Sequence, residues 1–164
     1  MLSYVTPEWV AQAGNNYSAD PDNANKTFKG MNIFLTFRVL ADPKFGLDKD
    51  IHFATHLEKG VIQPDSTLLS KEDAEKKSDF ILSATPAVWK SVIKKEKGFV
   101  AAFMTAKIKL DKGSAPKIVA LAPKSSAVIE AFHRVDTEWP DEMSPQRLQE
   151  YKARMAEFRQ KLSI

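Results

Sequence analysis

The chain has 164 residues, 43% hydrophobic and 27% charged, with a formal net charge of +3. That length and balance describe one folded domain with room for a real core. No apolar run approaches the ~18 residues a membrane span needs, and the absence of any cysteine excludes disulfides, thiolate chemistry and cysteine-built zinc sites.

Thr6-Pro7-Glu8-Trp9 predicts a helix start, with threonine as cap and proline at the first helical position, ending near Gly14-Asn15. Asn15 to Lys29 is polar, and Asp20-Pro21-Asp22-Asn23 marks a turn. Met31 to Ala41 is a predicted strand, with Ile33, Leu35, Phe37 and Val39 opposed to Asn32, Phe34, Thr36 and Arg38. Phe34 breaks the alternation, which points to cover on part of both faces. After a turn with Pro43 and Gly46, Ile51 to Glu58 alternates again, with Ile51, Phe53, Thr55 and Leu57 on one face. A third strand, Val61 to Leu69, is interrupted at Pro64-Asp65, which places a bulge or an edge there. Ser70 to Ser78 reads as a short surface helix or a loop, and Phe80 to Ala84 as a fourth strand.

Thr85-Pro86 repeats the cap-and-proline signature and opens a helix carrying Trp89, Val92 and Ile93. Gly98 separates it from Phe99-Val100-Ala101-Ala102-Phe103-Met104-Thr105, a short helix apolar nearly all round. Lys107 to Asp111 is the fifth strand. Ser114 to Asp136 is largely helical, with Pro123 implying a kink or two helices, and Ser144-Pro145 opens a last helix to about Leu162. Helix, then strands, then helices is an α+β order: a mainly antiparallel five-stranded sheet with helices gathered on one face.

The short apolar helix is the most informative element. A helix without a polar face must be covered by protein or must line a space that receives something apolar. Phe99, Val100, Phe103 and Met104 therefore fit an ordinary core helix. An adaptable apolar cavity needs the same residues, because a thioether repacks around different chains, but by themselves they favour the ordinary core. Between Trp89 and Lys124 nine lysines stand against Glu96 and Asp111 alone, a local +7. They form a solvated face or attract anionic lipid headgroups, each lysine contributing ~1 kcal/mol near such a surface. Nucleic acid is the weaker fit, since the stretch lacks arginine and its aromatics fall at core positions.

The order Asp79-led strand, Trp89-bearing helix, Gly98, apolar helix with Phe103 and Met104, then Lys107 and Lys109 in a strand resembles the sterol-carrier-protein lipid-transfer family. The likeness covers roughly residues 6–136, starting at Thr6-Pro7-Glu8-Trp9. Ala106 stands where the family usually has glycine, and Leu110-Asp111 where Gly-Asp is common. The resemblance implies an apolar cavity enclosed between sheet and helices. It implies Trp89, Val92, Ile93, Phe99, Phe103 and Met104 on one wall, with Val128, Ile129 and Phe132 opposite, and Val100 beside them. It also implies a domain of residues 1–140, with 141–164 as a C-terminal amphipathic extension.

No enzymatic constellation accompanies this pattern. His52 and His56 share a strand face about 13 Å apart at ~3.3 Å per residue, too far for one metal, and His133 is alone. There is no nucleophile elbow, no S-x-x-K and no glycine-rich phosphate loop. Asp79 suits capping or strand-edge hydrogen bonding rather than acid–base work. No catalytic residue, metal or cofactor is expected. The last helix carries one stripe, Leu148, Tyr151, Met155, Phe158 and Leu162, which suits docking on its own domain, a homodimer seam through residues 144–162, a lid, or an interfacial membrane helix. The N-terminus has no basic-then-apolar leader, and the C-terminal Lys161-Leu162-Ser163-Ile164 is not a peroxisomal address, so the cytoplasm is the expected compartment. The expected function is non-enzymatic binding or transfer of a fatty acid, acyl-CoA, sterol or similar lipid, with weak contact to anionic membranes. The alternative is an accessory module with a filled cavity, working through its last helix.

Overall fold

The computed structural model describes all of residues 1–164. In chain order the elements are β1 (Leu2–Ser3), α1 (Pro7–Ala19), β2 (Ile33–Val39), β3 (Ile51–Glu58), β4 (Val61–Ile62), β5 (Leu68–Leu69), α2 (Lys71–Lys77) and β6 (Phe80–Ala84). There follow α3 (Pro86–Ile93), α4 (Phe99–Met104), β7 (Lys109–Lys112), α5 (Ala115–Leu121), α6 (Ser125–His133), β8 (Thr137–Glu138) and α7 (Pro145–Leu162).

The main sheet runs β4-β3-β2-β6-β7, with β5 also paired to β3. Its centre is a parallel pair, β2 with β6, registered Leu35 to Phe80 and Phe37 to Leu82. The other pairings are antiparallel. The sheet therefore has six strands rather than five. Pro64 has no amide to donate, so the third expected strand splits into β4 and β5, and both halves pair with β3.

Alternation decides which strand residues look at the helices. The odd-numbered residues of β2 and β3 and the even-numbered residues of β6 join α1, α3, α4, α5, α6 and α7 in one core of 32 buried residues. The opposite face is not bare. Phe34, Ala54, Leu69, Ala74 and Ile81 form a second cluster under α2, so one helix packs on the face that was expected to be open. Phe34 is the residue that broke the alternation, and this cover is why.

Two boundaries that differ from the sequence expectation have a visible cause. α1 runs past Gly14-Asn15 to Ala19, because Tyr17 is buried and its hydroxyl donates to the Gly60 carbonyl at 2.7 Å. A π-helical turn follows at Asn23–Thr27, where the Asn23 side-chain Nδ2 donates to the Tyr17 carbonyl at 2.8 Å. β7 begins two residues late. The amides of Lys107 and Ile108 both donate to the Ala102 carbonyl, at 2.9 and 3.1 Å, and that closing turn holds Ala106 at φ 59°. The strands β1 and β8, paired in parallel, were not anticipated, since two residues carry no readable period. Asp79 makes a capping hydrogen bond as expected, accepting from the Phe34 amide near the start of the central strand β2 at 2.8 Å.

α7 lies on its own domain. Tyr151 and Met155 are buried in the common core, and Leu148 and Phe158 pack against it. The Tyr151 hydroxyl donates to the Tyr4 carbonyl at 2.8 Å. Arg147 donates to Glu138 at 2.6 Å, and Arg154 to Glu8 at 2.9 Å. Gly46 (φ 66°) lets the helix approach, since a Cβ there would stand 3.0–3.1 Å from Leu148, Tyr151 and Lys152. Docking on its own domain, the first of the roles the stripe suits, thus takes up most of it, and Leu162 alone stays exposed.

Candidate functional site

A cavity of about 80 Å³ lies between the sheet and the helices. Its floor is the inner face of the sheet: Ile33, Leu35 and Phe37 of β2, Phe53, Thr55 and Leu57 of β3, and Phe80 and Leu82 of β6. Its walls are Trp89, Val92 and Ile93 of α3, Phe99 of α4, Ile118 and Leu121 of α5, and Val128, Ile129 and Phe132 of α6. Of 19 lining residues 17 are hydrophobic, and the other two are Thr55 and Ser125. The Ser125 hydroxyl is already spent on the Ala122 carbonyl at 2.6 Å. No lining side chain is ionisable, so the space is suited to hold an apolar group and to do no proton chemistry on it.

An aromatic cluster shuts one end. Phe37 stacks on Phe53 at 5.1 Å, Trp89 meets Phe37 edge-on at 5.5 Å, and Phe132 lies 4.9 Å from Trp9. The indole of Trp89 donates to the Arg38 carbonyl at 3.1 Å, and that of Trp9 to the Thr137 hydroxyl at 2.8 Å. Trp89 is therefore held as rigid wall, and Trp9 as a fixed backing to Phe132. At the other end Val92, Phe99, Ser125 and Ile129 border both the cavity and an open polar groove that carries Lys95, Lys97, Glu130 and Arg134. These four residues form the mouth.

Of the residues singled out from sequence, Trp89, Val92, Ile93, Phe99, Val128, Ile129 and Phe132 line the cavity. Val100, Phe103 and Met104 do not. α4 lies across the cavity with Phe99 and Ala102 turned inward, which leaves Val100 51% and Met104 72% exposed. Phe103 stacks on Phe99 at 6.2 Å from outside the lining. The floor residues were read only as core, because alternation marks which strand face is buried and not where the packing above it is incomplete. Phe28, which also lines the cavity, sits in a loop and had no pattern to mark it.

His52 and His56 sit on the outer face of the sheet, and His133, at the end of α6, places Nδ1 2.8 Å from the Ile93 carbonyl. His52 is buried on that sheet face, and burial, with Arg38 nearby, lowers its pKa. His56 places Nδ1 2.7 Å from Asp65. No three ligating side chains converge on a metal-sized site.

No protein-family profile matches the sequence, and no match is found among curated protein sequences. Solved structures do match. A crystal structure of sterol carrier protein 2 overlays with a TM-score of 0.69 at 18% identity, covering 81% of this chain and 99% of that one. The chain has the sterol carrier protein fold. A conserved hypothetical protein from Thermus thermophilus, itself compared with sterol carrier proteins, overlays at 0.70 with 21% identity, covering 84% of this chain and 93% of that one. A palmitated SCP2-like protein from Aedes aegypti overlays at 0.51 with 12% identity, covering 77% and 95%. In the sterol carrier fold of this chain the cavity occupies the space between sheet and helices. No helix is long and apolar enough to cross a membrane.

Proposed function

We propose that this chain is a non-enzymatic carrier that shelters an apolar ligand, such as a fatty acid, acyl-CoA or sterol, in the cavity beneath α3, α4, α5 and α6. The observation that carries the reading is the lining: a space under-filled at the centre of the core, bounded by apolar side chains and without one ionisable group. The palmitated relative of the same fold supports it. Binding is driven by removal of apolar surface from water at ~25 cal/mol per Å², a term without direction, so broad specificity among chains is expected. In the groove at the mouth Lys95 and Arg134 are both paired with Glu130, and Lys97, which has no carboxylate partner, suits a carboxylate or coenzyme A phosphate left outside.

At about 80 Å³ the cavity holds roughly six waters' worth of space, taking ~10–15 Å³ for each. An acyl chain therefore requires the walls to part. The segment that gives most readily is α4 with the half-buried Leu121 of α5, since neither has a polar network to break. Six of the ten phenylalanines line the cavity, and this small volume favours one second reading: an accessory module whose cavity stays shut. Titration with a fluorescent fatty acid, read by energy transfer from tryptophan, separates the two. Saturable binding lost in Leu121→Trp, with an unchanged circular dichroism spectrum, is the carrier's result. No saturable binding by folded wild-type protein would leave the shut module standing.

A further inference from the structure

We propose that the outer faces of α4 and α5 dock on an anionic lipid bilayer, beside the cavity mouth. The inference rests on the carrier reading for its purpose, not for its chemistry.

α4 consists of Phe99-Val100-Ala101-Ala102-Phe103-Met104, without one polar side chain. Phe99 and Ala102 point into the protein, so the face left outside is Val100, Ala101 and Met104. α5 repeats the arrangement. Ile118 and Leu121 line the cavity, and Val119 is 52% exposed on the other side. Val100, Met104 and Val119 are three of the six large hydrophobic residues that the whole chain exposes. All three stand on the two helices whose inner sides, through Phe99, Ile118 and Leu121, line the cavity.

Charge identifies the occupant. Lys90, Lys94 and Lys95, on the α3 side, are each paired with a carboxylate: Asp141 and Glu142, Glu96, and Glu130 respectively. Lys97, Lys107, Lys109 and Lys117, around α4 and α5, have none. Lys97 lies against Lys107, and that neighbour lowers its pKa, as two ammonium groups without an anion between them must. The one acid from Gly98 to Pro123 is Asp111, and it is committed to Arg38 and Ser83 at 3.1 and 3.0 Å. Aliphatic and thioether side chains exposed among unpaired lysines complement a surface that is apolar below and anionic above. A bilayer with acidic headgroups is such a surface. Phe99, the first residue of α4, is also a mouth residue. Docking by this face therefore sets the mouth at the headgroup layer, and a chain passes between bilayer and cavity without crossing water.

Sedimentation of the full-length protein with phosphatidylcholine vesicles, with and without phosphatidylglycerol, tests the proposal. Binding to the anionic vesicles alone, weakened by salt, is expected. Lys97→Gln with Lys107→Gln loses about five-fold for each lysine, the factor that ~1 kcal/mol per charge converts to. Val100→Ser with Met104→Ser, both at exposed positions, weakens binding while the fluorescent fatty acid still binds in solution. Fatty-acid binding in solution with no sedimentation overturns the docking face and leaves the carrier reading intact. Vesicle binding without fatty-acid binding supports the docking face and removes the carrier reading. Vesicle binding equal in wild type and both double variants overturns the assignment to this face.

Discussion

Ala106 sits at φ 59°, in the left-handed region that costs an L-residue about 1 kcal/mol and glycine nothing. The resemblance had marked this position as one where glycine is usual, and the backbone shows why. Ala106→Gly is expected to raise stability by about 0.5–1 kcal/mol, read as a higher urea midpoint at unchanged m-value. The outer face of the sheet carries the pH sensitivity. Burial of Asp50 opposes its ionisation, but the Ala41 amide and the Arg38 guanidinium outweigh that and hold its carboxyl below the usual range. Burial, then Arg38, lowers His52, which Asp50, Lys71 and Glu75 also face. Both groups therefore bind protons more weakly folded than unfolded, and both contributions are lost as pH falls. The His52 part is complete above its ordinary value of 6.5 and goes first on acidification, while the Asp50 part goes near the acid end. Urea midpoints measured against pH are expected to fall below about pH 6.5 in wild type and to stay level through that first stage in His52→Gln. An unchanged slope in the variant would remove His52 as the source.

At the scale of elements, the caps decided where helices start. Thr6, Ser70, Thr85 and Ser144 each accept a backbone amide at a helix N-terminus, and three of them precede a proline, a signature plain in the sequence. The ends of elements were harder to read, because tertiary contacts set them: Tyr17 extends α1 and the Ala102 carbonyl delays β7. α7 shows how far an amphipathic pattern informs. Its stripe at steps of three and four is evident in the sequence, but the partner of that stripe is not. The structure assigns it to Tyr4 and the Gly46 turn. Met155→Ala is accordingly expected to cost about 2–5 kcal/mol in chemical denaturation while the elution volume in size exclusion stays the same. A shift in elution volume would show that the helix face also serves an intermolecular contact. Glu138→Gln removes the charge that Arg147 grips and is expected to cost about 1 kcal/mol, an effect that salt reduces.

For the whole molecule, the consequential feature is a core that stops short of filling itself. A domain this size has enough apolar residues to pack solid, yet the sheet floor and the roof of α3, α4, α5 and α6 leave a gap lined by side chains with no polar obligations. If a fatty acid binds there, linkage requires the fold to gain RT ln(1 + [L]/Kd), about 2.7 kcal/mol at a hundred-fold excess over Kd. The melting temperature is expected to rise with palmitate concentration in wild type and to stay flat in Leu121→Trp. Amide exchange is expected to slow most in α4 and α5, the walls that must part.

The sequence by itself determined the class of the molecule. Periods of two and of three to four and cap-and-proline starts are local properties, so they were legible as α+β order. It also marked seven of the cavity residues, through the resemblance that set Trp89, Val92, Ile93 and Phe99 on one wall and Val128, Ile129 and Phe132 opposite; α4, apolar nearly all round, had no period of its own to separate Phe99 from Val100, Phe103 and Met104. Only the tertiary structure decided the rest: that β2 and β6 pair in parallel at the centre, that α2 covers the second face, and that α4 turns Val100 and Met104 outward. Those depend on which surfaces meet across the chain, and hydrophobic burial is indifferent to sequence distance and direction. A residue's apolar character therefore fixes that it seeks cover, while the packing of its neighbours fixes whether it receives it.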